Sequence, residues 1–381
     1  MPVSPLDALW SPVTIGGFRL RNRIAMAPMT RDRSAPDGSP VPLNAEYYGQ
    51  RGSVGLVITE GTQPSDDGQG YLLTPGVYTN AHVAGWRRVA EAVHKAGAPL
   101  VVQLMHVGRV SHPGNTPHGR QPVAPSAVAP ANTKMFTVEG MKDIPEPRAL
   151  STEEVEQTVQ DFAHAASRAV EAGADGVEIH GANGYLVQQF LASNANLRTD
   201  RYGGSVENRI RFAVEVCRAC AEAIGADRVG LRISPGSPNN GIVEDDVEPL
   251  YTALVGALAP LGLAYLHPIY NAGHDGLFRQ MREAWPGAYV LNRPGASAEE
   301  RAVDVESGLA DVVSLAQMTL ANPDLVARLK RGAPLNEPDP STYYGGDARG
   351  YTDYPTLPET RRGEAAGAPD FESRQAESRS D

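Results

Sequence analysis

The chain has 381 residues, 41% of them hydrophobic, and 34 basic against 45 acidic side chains give a formal charge of −11. That length can bury a large core, whereas the acidic balance offers no basic stripe for nucleic acid or an anionic membrane, so neither is expected as a partner. No stretch approaches the about 18 uninterrupted apolar residues of a membrane span, and the opening "MPVSPLDALWSP" has no charged and apolar leader pattern, which points to a cytoplasmic protein.

In chain order, "VTIGGFRLRN" reads as a hairpin turning at Gly16 and Gly17, placed to plug the lower mouth of whatever follows. Eight short apolar, β-branched runs come next: "IAMAPMT" (24–30), "VGLVITEGT" (54–62), "PLVVQLMH" (99–106), "DGVEIHG" (175–181), "RVGLRISP" (228–235), "LAYLHPIY" (263–270), "AYVLNRPG" (288–295) and "DVVSLAQ" (311–317). Helical patterns with capping residues alternate with them, and "STEE" has capping-box spacing from Ser151 to Glu154. Eight alternations of strand and helix predict an α/β fold of the (β/α)₈ TIM-barrel type within residues 1–358. Residues 107–150, rich in Pro and Gly, are too long for a plain βα loop and are expected to cap the upper face. Beyond Pro358, residues 359–381 have almost no large apolar side chains and are expected to be a disordered tail.

Barrel chemistry gathers at the C-terminal ends of the strands, which singles out "EIHGANGYLVQQFL", where His180, Asn183 and Tyr185 crowd one strand-to-helix turn. In "VGLRIS", alternation sends Arg232 into the lumen, where a guanidinium needs either Glu178 as an internal partner or a bound group that develops negative charge. Gln103 in "VVQLMH" raises the same question, and Thr30 ends the first strand. His106, His112 and His118 are spaced too widely to read as metal ligands and have no acid between them, so no metal is expected. Cys217 and Cys220 form C-x-x-C, but well inside an amphipathic helical pattern, so they read as packing rather than redox chemistry. No dedicated nucleotide motif of the G-x-G-x-x-G or Walker type follows a strand.

Together the segments "NRIAMAPMTR", "EYYGQRGSVGLVITEGTQ", "VVQLMHVGRVSH", "EIHGANGYLVQQFLASNANLRTDRYGGSVENR", "GLRISP" and "GGDARGYTDYPTL" resemble the old yellow enzyme family of flavin-dependent ene-reductases over roughly residues 5 to 358. The resemblance implies FMN at the upper face, with NADPH or NADH as reductant and small activated alkenes as substrates. It implies that Ala27, Pro28, Met29 and Gly61 approach the ring, that Thr30 and Gln103 bond its pyrimidine side, and that Arg232 meets the region made negative by reduction. His180 and Asn183 would polarise the alkene's carbonyl or nitro group, Tyr185 would supply the proton, and Tyr71 and Tyr351 would form pocket wall and lid.

Some positions depart from the family pattern. Asn183 stands where many relatives have a second histidine, and Met105 where others place a tryptophan. Ala316 and Gln317 occupy the place of a Gly-Arg pair after the eighth strand. A phosphate would then lack its usual cation, and Arg293 in "NRPG" is expected to replace it, with the amides of Gly295 and Ala296. A rival expectation is a barrel that has lost tight flavin binding and serves as a ligand-binding or scaffolding protein. A larger iron–sulfur relative would need a cysteine cluster. A monomer and a homo-oligomer are both compatible with these residues.

Overall fold

Strand after strand of β-branched residues, buried on both faces, favours a parallel sheet covered by helices. The computed structural model describes residues 4–358, and the expected tail at 359–381 lies outside them. A hairpin of β1 (Val13–Ile15) and β2 (Phe18–Leu20) leads into barrel strands β3 (Ile24–Met26), β4 (Leu56–Ile58) and β5 (Leu100–Leu104). Four short strands lie in the long excursion: β6 (Val123–Ala124), β7 (Lys134–Thr137), β8 (Gly140–Asp143) and β9 (Arg148–Ala149). The barrel resumes with β10 (Gly176–Gly181), β11 (Val229–Ile233), β12 (Tyr265–Pro268), β13 (Ala288–Asn292) and β14 (Val312–Leu315). Strands β3, β4, β5 and β10 to β14 close in that order, all parallel, with β14 returning to β3. This is the expected TIM barrel. Each predicted run is longer than its strand, by residues before the ladder, after it or both.

Ten helices cover the barrel and its ends among the described residues: α1 (Pro42–Gln50), α2 (Asn80–Ala96), α3 (Thr152–Glu171), α4 (Leu186–Leu191), α5 (Val206–Ile224), α6 (Val247–Leu258), α7 (Asp275–Ala284), α8 (Ala298–Glu306), α9 (Gln317–Ala321) and α10 (Leu325–Arg331). The Ser151 capping box forms as its spacing suggests: Glu154 N–H donates to Ser151 Oγ at 3.2 Å, and Ser151 N–H donates to the Glu154 carboxylate at 2.8 Å. Cys217 and Cys220 sit on the buried face of α5, and burial raises both thiols far above the reactive range. No helix among the described residues is long and apolar enough to cross a membrane.

The barrel interior divides into two zones. At the lower end Ile15, Phe18 and Leu20 of the hairpin pack against Ala25, Leu56, Ile58, Val101 and Val290. Gly16 makes this possible: its φ is +50°, and a Cβ there would lie 2.4 Å from Asp227 O and 2.5 Å from Ala264 Cβ. Above that apolar plug the lumen turns polar, with Gln103, Glu178, Arg232, His267 and Ser314 all buried. Gly230 clears the way for this layer, because a Cβ there would meet the Tyr265 ring at 2.3 Å. The excursion crosses the upper face: Met135 of β7 and Ile144 pack on Met105, Val107 and Tyr185.

Candidate active site

Across the rim runs a cavity of about 290 Å³, built from the segments that follow the strands. From the end of β3 come Pro28, Met29 and Thr30; Gly61 follows β4, and Gln103 and Met105 come from β5 and its end. The end of β10 contributes His180, the turn after it Asn183 and Tyr185, and the residues after β14 Ala316 and Gln317. Met105 fills space beside Gly61, where a Cβ would lie 2.4 Å from its sulfur. Leu320, Tyr343 and Tyr344 complete the wall and were not foreseen. A wider cleft of about 510 Å³ opens at the hairpin end, but its charged groups Arg282 and Asp311 are already paired at 3.1 Å.

The turn 180–185 owes its shape to Asn-Gly. Asn183 has φ +56° and Gly184 φ +80°, and a Cβ on Gly184 would lie 2.5 Å from Asn239 O. Two buried glutamines fasten this turn. Gln188 accepts from Gly184 N–H at 2.8 Å, and Gln189 donates to Gly184 O at 2.8 Å and to Val107 O at 3.0 Å. Their signal in the sequence was two amides inside the apolar run "LVQQFL".

These constraints decide which polar atoms face the cavity. Ala182 N–H donates to His180 Nδ1 at 3.3 Å, so the ring proton sits on Nε2. Burial, reinforced by the Arg232 charge, lowers the His180 pKa to about 3 and keeps the ring neutral. Asn183 Oδ1 accepts from Asn239 Nδ2 at 3.2 Å, which leaves the Asn183 amide N–H groups as donors. Tyr185 is 9% exposed, and its hydroxyl meets that of Tyr71 at 2.9 Å. Burial drives its pKa well above the ordinary phenol value, so it carries its proton at neutral pH.

Below the cavity lies a buried polar relay. Glu178 accepts from Gln103 Nε2 at 2.8 Å, from Tyr265 Oη at 3.1 Å and from His267 Nδ1 at 2.7 Å, and His267 Nε2 meets Ser314 Oγ at 2.8 Å. Burial favours the neutral carboxyl, but His267, Arg232 and Gln103 outweigh it and hold the Glu178 pKa below its usual value. Glu178 fixes Gln103 with its NH₂ inward, so the amide oxygen is free to accept. Arg232, beside His180 in the ladder, is not paired to Glu178: its Nε and Nη1 are buried with no hydrogen-bond partner. Unmatched guanidinium N–H groups at zero solvent contact are costly, and a bound acceptor removes that cost. An acceptor-rich planar ring with one N–H edge fits this donor set, with Arg232 at the acceptors and Gln103 Oε1 at the N–H. FMN has such a ring.

Several expected site residues are placed elsewhere. Tyr351 is 0% exposed and forms no part of the cavity wall, because its ring stacks on Tyr47 at 4.0 Å and is flanked by the Arg31 and Arg33 guanidinium groups. Tyr343 and Tyr344, a few residues earlier, take the position expected of it. Tyr71 stands behind Tyr185 rather than on the wall. Arg293 is not a free cation: it makes a two-pronged pair with Asp304 at 2.8 and 2.6 Å and lies 3.8 Å over the Tyr270 ring. Gly295, with φ +76°, and the buried Ala27 are also off the wall, Ala27 N–H being used by Leu315 O at 2.9 Å. The three spaced histidines cap turns, His106, His112 and His118 each accepting from a backbone N–H two residues on.

Comparison with known proteins agrees with this geometry. Residues 8–336 match the model of the NADH:flavin oxidoreductase / NADH oxidase family. A probable flavin mononucleotide-dependent alkene reductase of Leishmania infantum is 42% identical, covering 92% of this chain and 98% of its own. Morphinone reductase, solved in complex with tetrahydroNAD, is 44% identical with a TM-score of 0.88, covering 92% of this chain and 98% of that one. An old yellow enzyme homologue from Zymomonas mobilis is 38% identical with a TM-score of 0.88, covering 92% and 99%. With an eight-stranded barrel whose polar rim leaves donors for a flavin ring, the chain belongs to the NADH:flavin oxidoreductase / NADH oxidase family, the old yellow enzymes, FMN-dependent oxidoreductases with a nicotinamide reductant.

Proposed function

We propose that the protein reduces the carbon–carbon double bond of activated alkenes such as enones, nitroalkenes and maleimides, taking turns with NADPH or NADH in one cavity. The observation that carries this reading is that His180, Asn183 and Tyr185 line one cavity, with His180 Nε2–H and the Asn183 amide N–H left as donors. Bound FMN supplies the hydride, received from the nicotinamide and delivered to the alkene β-carbon.

The chain's own groups do the rest. His180 and Asn183 donate to the carbonyl or nitro oxygen, drawing charge toward it as the β-carbon accepts the hydride. His180 performs this as a neutral donor, since its pKa of about 3 lies far below working pH. Tyr185 gives its proton to the α-carbon as general acid, a task suited to a phenol that remains protonated. Gln103 would hold one ring edge and Arg232, which is not itself on the cavity wall, would meet the other, while Thr30, Gly61, Ala316 and Gln317 border the same space. A scaffold without flavin would have no use for the unpartnered Arg232 donors, which weighs against that rival.

The test is spectroscopic. The purified yellow protein should bleach with NADPH or NADH in the absence of air and regain its colour on addition of cyclohexenone or N-ethylmaleimide. Tyr185→Phe should slow recolouring by about 10²-fold or more, the usual weight of a general acid, while bleaching stays within about twofold. Protein that bleaches but is recoloured only by oxygen would overturn the alkene reductase reading.

A further inference from the structure

Tyr185 has one hydroxyl partner among the described residues, the hydroxyl of Tyr71 at 2.9 Å. The two rings meet edge to face with centroids 6.3 Å apart; the His180 ring lies 4.9 Å from that of Tyr185, and Met105, Val110, Met135 and Ile144 pack in the same cluster. Tyr71 is partly exposed as a residue and lies outside the cavity wall, while burial of its hydroxyl pushes its pKa up to about 12. Its backbone is pinned there: Gln69 Nε2 and Thr74 Oγ1 donate to Tyr71 O at 3.2 and 3.3 Å. Gly70 lets the segment close onto the excursion, where a Cβ would lie 2.4 Å from Val110 O.

A buried phenol that gives up its proton becomes an anion in an apolar site, a state that burial strongly disfavours. While product fills the cavity, water has no access to Tyr185 from that side. We infer that Tyr71 is the relay through which Tyr185 regains its proton, an assignment that rests on Tyr185 being the proton source proposed above. In the balanced step, the Tyr185 O–H bond breaks as the α-carbon C–H bond forms. In the same event the Tyr71 O–H bond breaks as the Tyr185 O–H bond re-forms, and solvent then returns a proton to Tyr71. Neither tyrosine is oxidised, and both end the cycle as they began.

Tyr71→Phe keeps the ring and its packing and removes the relay. The experiment follows single-turnover reaction of the NADPH-reduced holoenzyme with cyclohexenone, recording flavin colour and the near-ultraviolet tyrosinate band, for wild type, Tyr71→Phe and Tyr185→Phe. In Tyr71→Phe, flavin reoxidation should slow roughly tenfold, less than for loss of the acid itself, and a transient tyrosinate absent from wild type should appear. Bleaching by NADPH should stay within about twofold, because that step uses no Tyr185 proton. Unchanged reoxidation with no tyrosinate overturns the relay, and so does slowed reoxidation without tyrosinate, which would make Tyr71 only an orienting contact. If Tyr185→Phe itself reoxidises at the wild-type rate, the proton-source reading fails and the relay with it. A slow Tyr185→Phe beside an unaffected Tyr71→Phe rejects the relay alone.

Discussion

Glu178 and Arg232 carry opposite charges on neighbouring strands, yet the structure gives the carboxylate three other donors and leaves two guanidinium nitrogens unpartnered. Burial disfavours a second positive charge on His267, so Glu178 balances Arg232 through space rather than by contact. That arrangement has an electrical consequence. A ring that gains negative charge on reduction is favoured by Arg232 and opposed by Glu178. Glu178→Gln should therefore raise the midpoint potential of the bound FMN, and Arg232→Gln should lower it. A tenfold change in relative affinity for the two oxidation states corresponds to about 30 mV for a two-electron couple, and shifts of at least that size are expected. Potentiometric titration of both holoproteins checks the signs. Two shifts in the same direction would show that the pair does not act on the cofactor by charge.

At the scale of elements, the eight strands were legible because each is a buried β-branched run, and the hairpin because Gly16 and Gly17 interrupt an alternating pattern. The turn that lines the cavity was legible for a related reason: His180 ends a strand that the apolar run marks, and Asn183 and Tyr185 follow it. Loops were harder. Nothing local tells Tyr351 from Tyr343 or Tyr344, since the choice depends on the stacking partner Tyr47 far away in the chain. The pairing of Arg293 was hidden in the same way, because its partner Asp304 lies on α8, 11 residues on, and strand alternation gives no hint of it. The pairing changes what its removal does. Arg293→Ala should alter the FMN dissociation constant by less than about threefold, while leaving Asp304 unmatched and lowering stability by about 1 kcal/mol. Fluorescence titration with FMN and denaturant unfolding separate the two effects. A loss of FMN affinity of tenfold or more would restore Arg293 as the phosphate's cation.

Over the whole molecule, stability and chemistry occupy opposite ends of the same strands. The lower mouth is closed by an apolar plug that depends on one left-handed glycine, and the upper rim carries His180, Asn183 and Tyr185. Gly16→Val tests that separation. The new side chain would combine an unfavourable φ of +50° with overlap against Asp227 O and Ala264 Cβ, and a loss of about 2–4 kcal/mol is expected. Because the cofactor binds only the folded barrel, saturating FMN should raise the melting midpoints of wild type and Gly16→Val by similar increments, whatever their starting points. Turnover per bound FMN should stay within about twofold, since the hairpin packs on the apolar layer at the opposite end of the barrel from the rim. Thermal melts with and without FMN, paired with turnover normalised to flavin content, measure both quantities. A variant that melts early yet turns over normally would show that the plug holds the barrel without shaping the site. If turnover per flavin instead fell by about tenfold, strain at the lower mouth would be reaching the rim along the barrel strands and the buried polar layer from Gln103 to Ser314 that lies between them.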